Sequence, residues 1–185
     1  MANCGRLILF SGPSGVGKDT LLDVLFEKRP LLRHSVSVTT RNKRDSEVEG
    51  KDYYFISVEK FNEMLKADEI LEYNKYGKHF YGTPKKPIDK WLKEGVDVIL
   101  KIDVHGFENV KKMYSDKCIS IFILPPSLEV LEQRLRMRGT ETAEDFIKRM
   151  EIAVEELKKC EEYDYRVIND SLEKAAEEIL TILDK

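Results

Sequence analysis

Arg6-Leu-Ile-Leu-Phe-Ser11-Gly12-Pro-Ser-Gly-Val-Gly-Lys18-Asp19-Thr20 carries the first decision about the fold. Its opening, Arg6 to Ser11, is a short apolar run ended by Gly12-Pro13, as in a strand buried on both faces of a parallel sheet. From Thr20 to Lys28, Leu21, Leu22, Val24 and Leu25 suit a helix, and Pro30 stops it. Between strand and helix lies Gly-x4-Gly-Lys, the phosphate-loop spacing in its strand-loop-helix context. The glycines let backbone N–H groups turn inward around phosphate oxygens. The helix N-terminus adds positive potential, and Lys18 adds a mobile charge. The expected phosphate cradle is therefore Gly12, Pro13, Ser14, Gly15, Val16, Gly17, Lys18, Asp19 and Thr20. One position departs from the pattern. Asp19 stands where Ser or Thr usually ligates Mg²⁺, with Thr20 next to supply a hydroxyl directly or through water. Asp19 itself fits either a metal role or a favourable interaction with the helix N-terminus. The working expectation is that Thr20, rather than Asp19, serves the metal.

Outward from this loop the chain alternates strands and helices. Val96–Ile102 and Cys118–Leu124 read as strands, with His105–Tyr114 as the helix between them. Ser127 is a candidate N-cap for a helix with Leu128, Leu131 and Leu135 on one face. Thr142-Ala-Glu-Asp145 resembles a capping box and opens a helix whose face carries Phe146, Met150, Val154 and Leu157. Arg166–Ile168 is a short last strand. Ser171 caps a final helix with Leu172, Ala176, Ile179 and Leu183. Such alternation predicts an α/β fold, a parallel sheet covered by helices. Residues from about Ser35 to Tyr81 break the rhythm. They are rich in Thr, Tyr, Arg, Asp and Lys, with alternating segments such as Tyr53-Tyr-Phe-Ile-Ser57, and predict a mixed β lobe inserted into the core.

The 185 residues suffice for one domain that buries about 70% of its unfolded surface. With 42% hydrophobic and 35% charged residues the chain is neither disordered nor collagen-like. No apolar run approaches the ~18 residues of a membrane span, and the start lacks a signal-type segment, so a cytoplasmic protein is expected. The net charge of −3 argues against a uniformly basic nucleic-acid binder. Cys4, Cys118 and Cys160 match no zinc or redox spacing and read as buried or incidental thiols.

The combined motifs resemble the guanylate kinase family over about Leu7 to Asp170. They are Ser11 to Lys18; Ser35-Val-Ser-Val-Thr-Thr-Arg41 with Arg44; Glu47-Val-Glu-Gly50-Lys-Asp-Tyr53-Tyr-Phe55; Glu72; Tyr81-Gly-Thr83; Ile102-Asp103-Val-His-Gly106; Arg134-x3-Arg138-Gly-Thr-Glu141; Arg149; and Ile168-Asn-Asp170. The resemblance implies a P-loop kinase fold with three parts: a parallel-sheet core (1–34, 84–125, 164–185), a GMP-binding lobe (35–83) and a helical lid (126–163). It implies transfer of the ATP γ-phosphoryl to GMP, and to dGMP, giving ADP and GDP with Mg²⁺, in purine nucleotide recycling. The expected partners are ATP and GMP, with no nucleic acid and no membrane, for a monomer or homodimer.

The residue types suit that acceptor. Arg41 and Arg44 can grip a dianionic phosphate. Tyr53 and Tyr81 offer hydroxyls to it, and Ser37 can donate to the base. The Glu72 carboxylate can accept from guanine N1–H and the 2-amino group, neither of which adenine presents, and Thr83 adds a hydroxyl on the same edge. Such a site discriminates by roughly 10⁴. The resemblance places Ser37, Arg41, Arg44, Tyr53, Glu72, Tyr81, Thr83 and Asp103 at the GMP side. Asp103, at a strand end, is also the expected partner of Thr20 at Mg²⁺, partly through water. Two residues earlier the family usually carries another acid, and here Lys101 stands. On the shared strand face it could pair with Asp103 or with Asp19, add charge at the acceptor phosphate, or weaken the metal site.

Arg134 and Arg138 share a helix face, with Arg136 on another. Gly139 can end that helix, and Arg149 lies on the next. Arginines closing over phosphates neutralise developing charge and exclude water. The expected catalytic set is Lys18, Arg41, Arg134, Arg138 and Arg149; Arg134, Arg138 and Asn169 join the ATP side, Asn169 near the adenine or its loop. His105 reads as a helix-start residue. No Cys/His arrangement suits nucleophilic catalysis, so the expected step is direct in-line transfer. Two rivals differ in sequence. A protein-binding scaffold domain of this family typically lacks the phosphate-loop and lid residues, whereas Gly17, Lys18, Arg134 and Arg138 are present here. A sugar-phosphate kinase would not need Glu72.

Overall fold

The structure is a computed structural model describing residues 4–45, 47–137 and 143–185. Its strands are β1 (Leu7–Ser11), β2 (Arg33–His34), β3 (Val38–Thr39), β4 (Tyr54–Phe55), β5 (Ile70–Tyr76), β6 (His79–Pro84), β7 (Val98–Lys101), β8 (Cys118–Leu124) and β9 (Tyr165–Ile168). Its helices are α1 (Lys18–Lys28), α2 (Val58–Lys66), α3 (Lys85–Lys93), α4 (Val104–Tyr114), α5 (Leu128–Arg136), α6 (Ala143–Lys158) and α7 (Leu172–Leu183). A five-stranded parallel sheet runs in the order β2-β7-β1-β8-β9, and a four-stranded mixed sheet in the order β4-β3-β6-β5. The expected α/β class and the mixed insertion are both present. All five residues of β1 are buried, which is why the run from Leu7 to Phe10 is unbroken by polar residues.

The chain divides into two compact units, made of discontinuous segments. The first comprises residues 1–7, 32–100 and 105–118. Its mixed sheet pairs β3 with β4 in parallel and β3 with β6 antiparallel; β5 and β6 form a hairpin around Gly77, which takes φ 59°. That left-handed conformation in a two-residue turn favours glycine. Helix α2 covers the sheet. Phe61, fully buried, stacks on Phe80 at 5.2 Å and joins Val38 and Ile70 in a small core bordered by Ile56, Met64 and Leu65. Ser57 caps α2, its hydroxyl accepting from the Lys60 amide. Neither α2 nor α3 is among the elements expected from sequence.

The second unit comprises residues 8–31, 101–104 and 119–185. Helix α1 packs on α7, and Phe122 of β8 meets Tyr163 edge-on at 4.9 Å. The Ser127 cap of α5 is as expected, accepting from the Val130 amide at 3.3 Å. Ser171 occupies the N-cap position of α7 but makes no cap bond; its hydroxyl donates to Glu173. On α6, Phe146, Met150, Val154 and Leu157 are half-buried, and Ala153 is fully buried. The capping residue Thr142 lies outside the described residues, as do Arg138, Gly139, Thr140 and Glu141.

Candidate functional site

In the second unit the loop between β1 and α1 is shaped by backbone geometry. Gly17 caps α1 in the left-handed region, φ 97° and ψ 26°, and a Cβ there would lie 2.5 Å from the Asn169 side-chain nitrogen. A Cβ on Gly12 (φ 146°) would lie 2.5 Å from the Ile123 carbonyl oxygen. Both positions require glycine, for conformation and for clearance. The Val16 amide donates back to Pro13 O at 3.3 Å, closing the loop. The Lys18 ammonium donates to the carbonyl of Gly12, and to that of Pro13 at 3.0 Å. It is thereby stationed across the loop that it is expected to serve.

A buried brace supports this loop from behind. Asn169, 6% exposed, follows β9; its Nδ2 donates to Val16 O at 2.8 Å and its own amide donates to Leu124 O at 2.8 Å. The Arg134 guanidinium, on α5, donates to the same Val16 O at 3.3 Å and to Asn169 O at 3.1 Å. From the sequence, Asn169 is expected near the adenine or its loop; the geometry makes it a strut for the phosphate loop. Arg136 points elsewhere, as the helical spacing predicts: it pairs with Glu132 at 2.7 Å and lies over the Phe146 ring at 4.4 Å, joining α5 to α6. Arg149 is exposed on α6.

Thr20 and Asp19 are exposed on the first turn of α1, and Asp103, half-buried, follows β7 in the same unit. The donors are hydroxyl and carboxylate oxygens. Among the described residues no cluster of three or more His, Cys, Asp or Glu could hold an ion. That donor set fits Mg²⁺, which keeps several waters and takes other ligands from phosphates. Among the sequence alternatives for Lys101, its Nζ donates to Asp19 Oδ1 at 2.6 Å.

In the first unit the candidate acceptor groups are side chains. Arg41 follows β3, anchored by its amide donating to Thr39 Oγ1 at 3.2 Å. The guanidinium is held on three sides. Its Nε donates to Tyr81 Oη at 3.2 Å, its two terminal nitrogens donate to Glu47 at 3.0 and 2.7 Å, and one also donates to Asn42 O at 2.7 Å. The Tyr53 and Phe55 rings lie 5.6 and 5.8 Å from it, and Tyr53 meets Tyr81 edge-on at 5.8 Å. Glu47 also accepts from the Arg44 amide at 2.8 Å. The Arg41 hydrogen bonds, followed by that amide, hold the Glu47 carboxyl down to about 2. Glu47 in turn raises the Arg41 pKa further above its ordinary value, against the opposing effect of burial. Sequence reasoning named Arg41, Arg44, Tyr53 and Tyr81 but missed Glu47, which holds the Arg41 guanidinium and the Arg44 amide. The available signal was an acid six residues after Arg41 on the same loop.

Glu72 and Thr83 come together on neighbouring strands, with the Thr83 hydroxyl donating to Glu72 Oε1 at 2.5 Å. The strand register explains the placement. Ile70 pairs with Pro84 and Tyr73 with Gly82, so Leu71 and Glu72 oppose Thr83 alone in a β-bulge. Bulges re-aim side chains and recur beside functional sites. Thr83 is fully buried, and its single proton is directed to Glu72, which leaves its oxygen as an acceptor. Ser37 precedes β3 and is half-buried; Arg44 is exposed. Of the acceptor candidates, Asp103 alone belongs to the unit that holds the phosphate loop.

A parallel sheet whose middle strand leads through a glycine loop into a helix defines a phosphate-loop kinase fold. The structure of shikimate kinase from Bacteroides thetaiotaomicron shares that fold, with TM-score 0.51 at 15% identity over 97% of this chain and 99% of that one. The chain belongs to the guanylate kinase family, whose sequence model matches residues 4–185. The guanylate kinase of Carboxydothermus hydrogenoformans is 46% identical over 179 residues, 97% of this chain and 87% of that protein. That of Caldanaerobacter subterraneus subsp. tengcongensis is 48% identical over 179 residues, 97% and 86% of the two chains. The crystal structure of guanylate kinase from Anaplasma phagocytophilum aligns with TM-score 0.80 at 36% identity, covering 98% of this chain and 86% of that one.

Proposed function

We propose that this protein transfers the γ-phosphoryl group of ATP to GMP, releasing ADP and GDP. The observation that carries the reading is the bulge pair Glu72–Thr83. It presents two hydrogen-bond acceptors, the complement of guanine's N1–H and 2-amino donors. The same unit holds Arg41, Tyr53 and Tyr81, which suit the acceptor's phosphate, with Arg44 and Ser37 as further contacts. Lobe 35–83 is the acceptor lobe in this reading and 126–163 the lid. In the other unit the loop from Gly12 to Thr20 takes the donor phosphates on its amides, Lys18 turns from the loop carbonyls to them, and Arg134 and Asn169 keep the loop in shape.

Thr20 and Asp103 would hold Mg²⁺, partly through water; the ion would supply charge that neutralises the donor phosphates. An oxygen of the GMP phosphate attacks the γ-phosphorus in line as the bond to the β-bridging oxygen breaks. Lys18, Arg134, Arg138 and Arg149 neutralise the charge that builds on the moving group, with Arg41 steadying the acceptor. Among the described residues no helix is long and apolar enough to cross a membrane. The setting in this reading is the cytoplasm, for a monomer or homodimer. A coupled ADP-release assay with ATP, Mg²⁺ and GMP, dGMP, AMP, CMP, UMP or ribose phosphates tests the reading. Turnover confined to GMP and dGMP is expected; equal turnover of AMP would overturn it.

A further inference from the structure

Two ammonium groups stand at the positive end of one helix. Lys18 opens α1, and Lys101, the last residue of β7, reaches the same first turn to place its Nζ 2.6 Å from Asp19 Oδ1. Helix N-termini disfavour cations, and the amides of a phosphate loop strengthen that field. The position of Lys101 is therefore unfavourable by itself and becomes favourable only beside an anion. Asp19 is one such anion. Stability does not explain the pair, because the side chains are 38% and 69% exposed and an ion pair that open to water contributes little. Asp19 also occupies the position at which phosphate loops ordinarily carry a metal-binding hydroxyl.

We propose that Lys101 is a second phosphate cation of the donor site, held in place by Asp19, and that it partly substitutes for Mg²⁺ in binding the nucleotide polyphosphate. The inference rests on the donor-site reading above. An ammonium and a divalent ion are alternative counter-ions for the same phosphate oxygens. Without metal, Lys101 turns toward the polyphosphate and retains much of the binding. With metal, the ion at Thr20 and Asp103 would neutralise those oxygens, Lys101 keeps its pair with Asp19, and its contribution falls away. The protein therefore depends less on Mg²⁺ for nucleotide binding than its loop sequence suggests.

Calorimetric titration of ADP into the full chain, in Mg²⁺ and separately in EDTA, tests this on wild type, Lys101→Met, Lys101→Arg and Asp19→Asn. Lys101→Met is expected to weaken ADP binding about three- to tenfold in EDTA while changing it less than about twofold in Mg²⁺. Lys101→Arg keeps the wild-type ratio between the two conditions. Asp19→Asn narrows that ratio, since the freed lysine is then wholly available to phosphate. A Lys101→Met variant that loses the same factor in both conditions, or in neither, overturns the proposal, as does an unchanged ratio in Asp19→Asn. If wild type binds ADP in neither condition, the donor-site reading itself fails, an outcome distinct from an altered ratio.

Discussion

In the proposed reading, the groups between β1 and α1 that face a ligand are backbone amides, on a loop shaped by glycines and by the Asn169–Arg134 brace. In the lobe around β5 and β6 they are side chains: a guanidinium between an acid and two phenols, and a carboxylate aimed by a bulge. The two regions suit different demands. A polyphosphate chain is recognised by charge and shape alone, for which a run of N–H groups is sufficient. A purine must be told from its isosteres, which needs acceptors and donors placed one by one. Damage to the first region should therefore lower the rate with any acceptor, and damage to the second should change which acceptor is used.

Lys18→Met gives the largest effect expected here. Losing the mobile positive charge of Lys18 should lower kcat by about 10³ while leaving the KM for GMP within a few-fold. Steady-state kinetics with GMP varied checks this, and a change confined to the KM for GMP would break the division between the regions. Glu72→Gln comes next. The amide nitrogen would face a donor on guanine, so kcat/KM for GMP should fall about 10²-fold, with ADP binding measured by calorimetry unchanged. Equal losses of GMP use and ADP binding would sink the role given to Glu72.

The same contrast explains what could be read in the sequence. The loop from Gly12 to Thr20 is local, so spacing alone announced its shape, its strand and its helix. The strand Cys118–Leu124 is contiguous and apolar, and its limits matched the structure residue for residue. The proposed acceptor lobe is assembled from residues some forty apart, such as Arg41 and Tyr81, which the pairing of β3 with β6 brings together. Family motifs named those residues, but nothing in the spacing showed that Glu72 sits in a bulge, because an extra residue on one strand is visible only against its partner. Helix α2 escaped notice because Val58, Phe61, Met64 and Leu65 are embedded in a polar stretch that reads as short strands. Lys101 left several partners open, and tertiary structure selected Asp19.

Asn169→Ala sharpens the comparison from behind the loop. It removes a buried donor from Val16 O, which Arg134 still serves, at a cost of about 1–2 kcal/mol in stability. The melting temperature should fall by a few degrees. The KM for ATP should rise severalfold with the KM for GMP constant. If the KM for GMP moved instead, the brace would belong to the wrong region.

The smallest effect is expected from Glu47→Gln, and its signature is pH. The Glu47 carboxyl is held down to about 2 by Arg41, against an ordinary value of 4.5. A group whose pKa is lower in the folded state stabilises it above the unfolded value and loses that contribution as pH falls through the folded value. The Arg41–Glu47 pair is thus fully effective above about pH 5 and fades between about pH 4.5 and 2. A neutral glutamine has no such dependence. Melting curves of the two proteins should differ most at neutral pH, the variant being lower, and should converge as the solution is acidified toward pH 2. A gap that stays constant from pH 7 to pH 2.5 would mean that Glu47 holds Arg41 by shape rather than by charge. The acceptor lobe would then resemble the phosphate loop more closely than its contacts suggest.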